Sequence, residues 1–148
     1  MSSNVSSLIA AIKTRVAAVA STYSEISYAK DLSKNSFKGN FKRYGVIPLS
    51  SNESSSVTRA LTVDQSFQLI LTDGFINTAM SDSSEQAASI ALQDLANDIY
   101  IDLVNTKAGS SSICLQVYDL SLDSPETLQD QSVVIQKSTF KIKYRINL

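Results

Sequence analysis

Residues 83–106, SSEQAASIALQDLANDIYIDLVNT, carry the pattern on which the fold turns. Ala88, Leu92, Leu95, Ile99 and Leu103 recur at helical spacing, and Ala91, Ala96 and Val104 widen that seam. Asp82 stands at the N-cap position and Glu85 at the capping-box position. Lys107 near the end and Gly109 just past it suit a helix C-terminus. The spacing predicts one long amphipathic helix, and what flanks it changes period.

Upstream, residues 58–72 alternate. Leu61, Val63, Phe67, Leu69 and Leu71 fall on one side and Thr62, Asp64, Ser66, Gln68 and Thr72 on the other, with interruptions at Gln65 and Ile70. That is period-two patterning, a strand with one buried face. Downstream, residues 112–120 alternate Ile113, Leu115 and Val117 with Cys114, Gln116 and Tyr118. Residues 133–147 place Phe140, Ile142, Tyr144 and Ile146 on one face and Lys137, Thr139, Lys141, Lys143 and Arg145 on the other. Asp73-Gly74 marks a turn, and SLDSPETLQDQS reads as an acidic, turn-rich connection.

At the start of the chain, Val5, Leu8, Ile9, Ile12, Val16 and Val19 predict a helix over residues 5–20, capped by Asn4. Short strands are expected at residues 24–29 and 44–49, with Pro48 arguing that the second is an edge strand or ends there. Flexible loops are expected near 30–43, 50–56 and 74–82. The expected architecture is a single α+β domain over residues 1–148. Its mainly antiparallel sheet of four to five strands packs with two helices in the order α-β-β-β-α-β-β.

Composition bounds the function. The chain has 148 residues, 43% hydrophobic and 18% charged, which suits one soluble folded domain. No apolar run approaches membrane-spanning length, no secretory pattern is visible, and the glycosylation matches at Asn4 and Asn52 are therefore expected to be empty. Histidine is absent and Cys114 is the single cysteine. That removes an intrachain disulfide, Ser-His-Asp and Cys-His nucleophile pairs and the usual zinc sites. The four glycines are dispersed, so no phosphate-cradling loop exists. Carboxylate pairs such as Asp64 with Asp73 arise in any chain with 14 acids. Neither enzymatic chemistry nor a cofactor is expected.

Charge is segregated. Residues 1–43 carry seven basic side chains against Glu25 and Asp31, a net of +5; residues 44–136 net −10; residues 137–148 net +4. Such a subunit attracts its own copies head to tail unless folding interleaves the charges. Asp94, Asp98 and Asp102 lie at i, i+4 and i+8 on one helix face. Water and salt, a basic partner surface or a divalent cation would compensate them. Lys137, Lys141, Lys143 and Arg145 are the complementary candidates. In the loop at 30–43, Lys34, Lys38, Lys42 and Arg43 interleave with Phe37 and Phe41. That segment reads either as a contact surface or as a loop whose aromatics tuck into the core. Phe75, Ile76 and Met80 are further contact candidates.

The helix VSSLIAAIKTRVAAV (5–19), the strand FQLILTDGF (67–75), the helix ALQDLANDIYIDLVN (91–105) and the closing strand TFKIKYRINL (139–148), in this order and size, resemble the tail terminator and tail-completion (neck) proteins of long-tailed bacteriophages. The resemblance covers most of the chain and is one of texture and element order. It implies a virion structural protein, made in the host cytoplasm, that assembles as a hexameric ring on the tail tube. The implied partners are further copies of itself, the tail tube protein and the head–tail connector, with DNA only passing through the lumen and no membrane involved. On that reading the basic strand meets the acidic stripe of a neighbour or faces the lumen, and loops 30–43 and 74–82 make axial contacts. Reversing Lys141 and Lys143 to Glu is expected to weaken self-association. The alternatives are another neck, connector or tube subunit, and a nucleic-acid-binding module using the closing strand; a pI near 5.3 argues against the latter.

Overall fold

The computed structural model of the chain describes residues 4–57, 60–75 and 81–147. The elements are α1 (Asn4–Val19), β1 (Ser24–Glu25), β2 (Arg43–Val57), β3 (Ala60–Gly74), α2 (Ser81–Thr106), β4 (Cys114–Leu122), β5 (Glu126–Leu128) and β6 (Val133–Asn147). The sheet runs β1-β2-β3-β6-β4, and β5 pairs with β6 beyond the end of β4. Every pairing is antiparallel except the two-residue β1 beside β2. This is the expected α+β fold, with six strands instead of four or five.

Both helices lie on one face of the sheet. Leu8, Ile12 and Val16 of α1 and Leu92, Ile99 and Leu103 of α2 are fully withdrawn from water. They meet Phe67, Leu69 and Leu71 of β3 and Phe140 and Ile142 of β6 in one continuous core. Phe67 and Phe140 are register partners and stack with centroids 6.0 Å apart. Each such aliphatic side chain contributes about 1.5–3 kcal/mol of transfer free energy, which makes this layer the main stabilising element.

The two interruptions in β3 have separate causes. Gln65 is buried on the helix face, and its amide donates to the carbonyls of Leu49 and Ser66, both at 2.9 Å. It satisfies backbone at the register shift that β2 makes between Pro48 and Ser51. Gln136 does the same for the other half of the sheet, donating to the carbonyls of Asp123 at 2.8 Å and Lys137 at 3.0 Å. Buried backbone that leaves a ladder needs such partners. Ile70 points to the opposite face, where a second core gathers Ile26, Phe37, Ile47, Ile70, Val133 and Ile135.

Four expectations about local structure differ from what is observed. Residues 50–56, expected as a flexible connection, belong to β2, which pairs with β3 out to Val57↔Ala60. The ladder of β3 recruits serines that have no strand signal of their own. Residues 24–29 supply only the two-residue β1. The connection SLDSPETLQDQS contains β5, paired to β6 at Ile135, Val134 and Val133. In β4 the register shifts between Cys114 and Gln116, so Cys114 and Val117 both reach the core while Leu115 is 39% exposed. The proposed cap residue Asp82 lies outside the side chains that can be described. Glu85 instead accepts a hydrogen bond from the Thr127 hydroxyl at 2.6 Å, tying the first turns of α2 to β5.

Candidate assembly surfaces

Loop 26–42 decides how much of the sheet stays open. Ile26 and Phe37 fold onto the far face, away from the helices. The Asn35 side chain organises the turn: its amide donates to the Tyr28 carbonyl at 3.0 Å, and its oxygen accepts from the Tyr28 N–H. The Gln131 side chain clamps the loop, accepting from the Phe37 N–H at 2.9 Å and donating to the Asn35 carbonyl at 3.1 Å. Gly45 allows the close approach, since a Cβ there would sit 3.0 Å from the Ala29 Cβ. Of the loop candidates, Phe37 is therefore a core residue with no solvent contact. Arg43 stacks over its ring at 5.6 Å. Phe41 is 36% exposed and packs on Gly74. Lys34, Lys38 and Lys42 remain at the surface, with Lys42 over the Tyr23 ring at 5.8 Å. Phe75 is buried in the helix-side core, while Ile76 and Met80 lie outside the described residues. Lys38, Phe41, Asp130, Gln131 and Ser132 line a surface depression beside this loop.

Among the described residues, nothing packs over the other half of the far face. Thr62, Asp64, Ser66 and Gln68 of β3 stand beside Arg145, Lys143, Lys141 and Thr139 of β6, each pair in direct register. Tyr118 of β4 adjoins Lys141. Two of the four candidate cations are paired within the chain: Lys141 with Asp119 at 3.2 Å and Lys137 with Glu126 at 3.7 Å. Lys143 lies over the Tyr118 ring at 6.0 Å. Among the described residues, neither Lys143 nor Arg145 forms an ion pair. The Tyr118 hydroxyl is pushed up to about 12 by burial and by its hydrogen bond to the Asp64 carboxylate. Asp119 adopts φ 64°, which turns the β4 edge strand at its second register shift.

The acidic stripe is divided as well. Asp102 takes a two-pronged hydrogen bond from Arg15 of α1, with Nε to Oδ2 at 2.8 Å and Nη2 to Oδ1 at 2.7 Å. This contact raises the Arg15 pKa and locks α1 to α2. Asp94 and Asp98 stay exposed on the outer side of α2. They stand among apolar neighbours that no described residue covers: Ile90 is 52% exposed, Ile101 56% and Val104 41%. Val104 lies outside the seam that its spacing assigns it to: the packed residues are Ala88, Leu92, Ala96, Ile99 and Leu103, with Leu95 half-buried against them. The outward stripe Ile90, Asp94, Asn97, Ile101, Val104 repeats at spacings of four and three residues, a second helical face hidden behind the stronger first one.

Two chemically distinct surfaces thus lie on opposite sides of the domain, acidic and apolar on the helices and basic and polar on the sheet. Cys114 is buried, and that burial raises its thiol pKa, which leaves it a packing residue. No helix among the described residues is long and apolar enough to cross a membrane.

No family model matches the chain, and no curated protein matches it. Among solved structures, it is similar to a chain from the virion of a native gene transfer agent particle. The match covers 98% of this chain and 100% of that one, at 12% identity and a TM-score of 0.48. At that score the likeness of the two backbones is too loose to carry an argument about function.

Proposed function

We propose that this chain is a non-enzymatic virion structural protein that closes into a ring of identical subunits. In that role it acts as a tail terminator, capping the tail tube, stopping its polymerisation and joining it to the head-side connector. The observation that carries the reading is the pair of bare faces on opposite sides of one small domain. One holds Ile90, Ile101 and Val104 with Asp94 and Asp98; the other holds Lys143 and Arg145. We read the exposed Ile90, Ile101 and Val104, which flank the acidic pair on one helix face, as a protein contact. Opposite character on opposite sides makes that contact heterologous, and heterologous contacts close into rings or run on as filaments.

The mass of the purified chain by light scattering after size exclusion, at low and high salt, with negative-stain images, tests the reading. Discrete rings that stop tube growth when added to polymerising tail tube protein are expected. Long tubes of the chain alone would assign it to the tube instead. A monomer at every concentration and salt would overturn the ring. A second reading, a nucleic-acid-binding module, is favoured by the unpaired Lys143 and Arg145. It requires a DNA affinity that falls steeply with salt.

A further inference from the structure

We infer that the outer stripe of α2 in one copy docks on the uncovered half of the sheet in the next copy, with Asp94 and Asp98 set against Lys143 and Arg145. The inference rests on the ring reading and names the seam between its subunits.

Three observations lead to it. First, the stripe is apolar at both ends, Ile90 at one and Ile101 with Val104 at the other, and acidic between them. Pairing two such stripes across a twofold axis near Asn97 would set each Asp94 against the other copy's Ile101. Two carboxylates would then lose water with no cation to receive them, a costly arrangement. The occupant must supply positive charge. Second, the spacings agree. Asp94 and Asp98 are one helical turn apart, roughly 6 Å along the face. Lys143 and Arg145 are two residues apart on one side of a strand, about 6.8 Å. Third, of the four cations on the far face of β6, Lys143 and Arg145 form no ion pair among the described residues, whereas Lys137 and Lys141 are held within the chain. Arg15 holds Asp102, Lys13 holds Glu25, Lys141 holds Asp119 and Lys137 holds Glu126. Leu115, 39% exposed in the β4 bulge beside the Gln116–Lys143 pair, offers an apolar contact for the isoleucines. The occupant is therefore a second copy of this chain, approached head to tail.

The test uses two charge-reversed full-length variants, Asp94→Lys with Asp98→Lys and Lys143→Glu with Arg145→Glu, in sedimentation velocity. Each alone is expected to associate at least about 100-fold more weakly than the unaltered protein, the effect of removing close interfacial charge pairs. Mixed in equal amounts, they should assemble again. Both kinds of seam in the mixture are complementary: native helix on native sheet, and reversed helix on reversed sheet. Assembly of either variant alone at unaltered strength, or no recovery on mixing, overturns the seam while rings of the unaltered protein keep the ring reading. Absence of any assembly by the unaltered protein defeats both. Lys143 lies beside Asp64, so its reversal threatens folding. The exposed variants Arg145→Glu and Ile101→Ser, with unchanged circular dichroism, then decide: each should weaken association about 10-fold, and no change in either overturns the seam.

Discussion

Replacing Phe37 by Ala tests whether loop 26–42 is part of the folded core or a mobile contact surface. Phe37 has no exposure to water and packs with Ile26, Ile47, Ile70, Val133 and Ile135. A buried Phe removes roughly 150–250 Å² from water. At ~25 cal/mol per Å² that is about 4–6 kcal/mol of transfer free energy. Measured Phe→Ala losses of about 3–5 kcal/mol include the cavity and partial relaxation, so ~4 kcal/mol is expected here. The variant also removes the ring under Arg43, whose Nε is already buried without a hydrogen-bond partner. With a urea m-value of about 2 kcal/mol per molar, the unfolding midpoint should fall by roughly 2 M. Phe41→Ala in the same loop is the internal control. Phe41 is 36% exposed, and its loss should cost only about 1–2 kcal/mol. Urea denaturation followed by circular dichroism measures both. A Phe37→Ala midpoint within about 0.5 M of the unaltered protein, or about 1 kcal/mol at that m-value, would mean that the loop does not close the far face. The division of the sheet into a covered and an open half would then be wrong.

Two further outcomes can be checked with little effort. Gly45→Ala should destabilise the chain by about 1–2 kcal/mol, because the new Cβ meets the Ala29 Cβ at 3.0 Å and the Ile26 Cδ1 at 3.6 Å; an unchanged thermal midpoint would show that the loop yields freely. Tyr23 and Tyr118 both have hydroxyls held near 12 instead of 10, so the folded state favours their protonated forms. Their contribution is complete below pH 10 and is lost as pH rises through 10 to 12, which a thermal midpoint recorded against pH should show as a fall that Tyr118→Phe makes shallower.

Much of the architecture is legible in local pattern. The helical period of Leu92, Ile99 and Leu103 and the strict alternation of β6 from Phe140 to Ile146 each bury a stripe or a face whatever the rest of the chain does. The boundaries of β6 and the composition of its cationic face follow from the residues alone. The second stripe on α2 was visible in the same letters, at Ile90, Asp94, Ile101 and Val104. It was masked because a helix with apolar residues on two sides reads as one broad seam until its packing partner is known.

What the sequence determined by itself is what depends on near neighbours along the chain: two amphipathic helices, the central alternating strands, the absence of histidine and disulfide chemistry, and the segregation of charge. The tertiary structure decided what depends on residues far apart. It made residues 50–56 a strand, because the β3 ladder lies beside them. It took Phe37 out of the basic loop and into a core completed by Val133 and Ile135, and it gave Asp102 to Arg15, 87 positions away. Those two placements remove Phe37 and Asp102 from the residues open to a partner. Burial and ion pairing are properties of the space between elements, and no window of sequence contains that space.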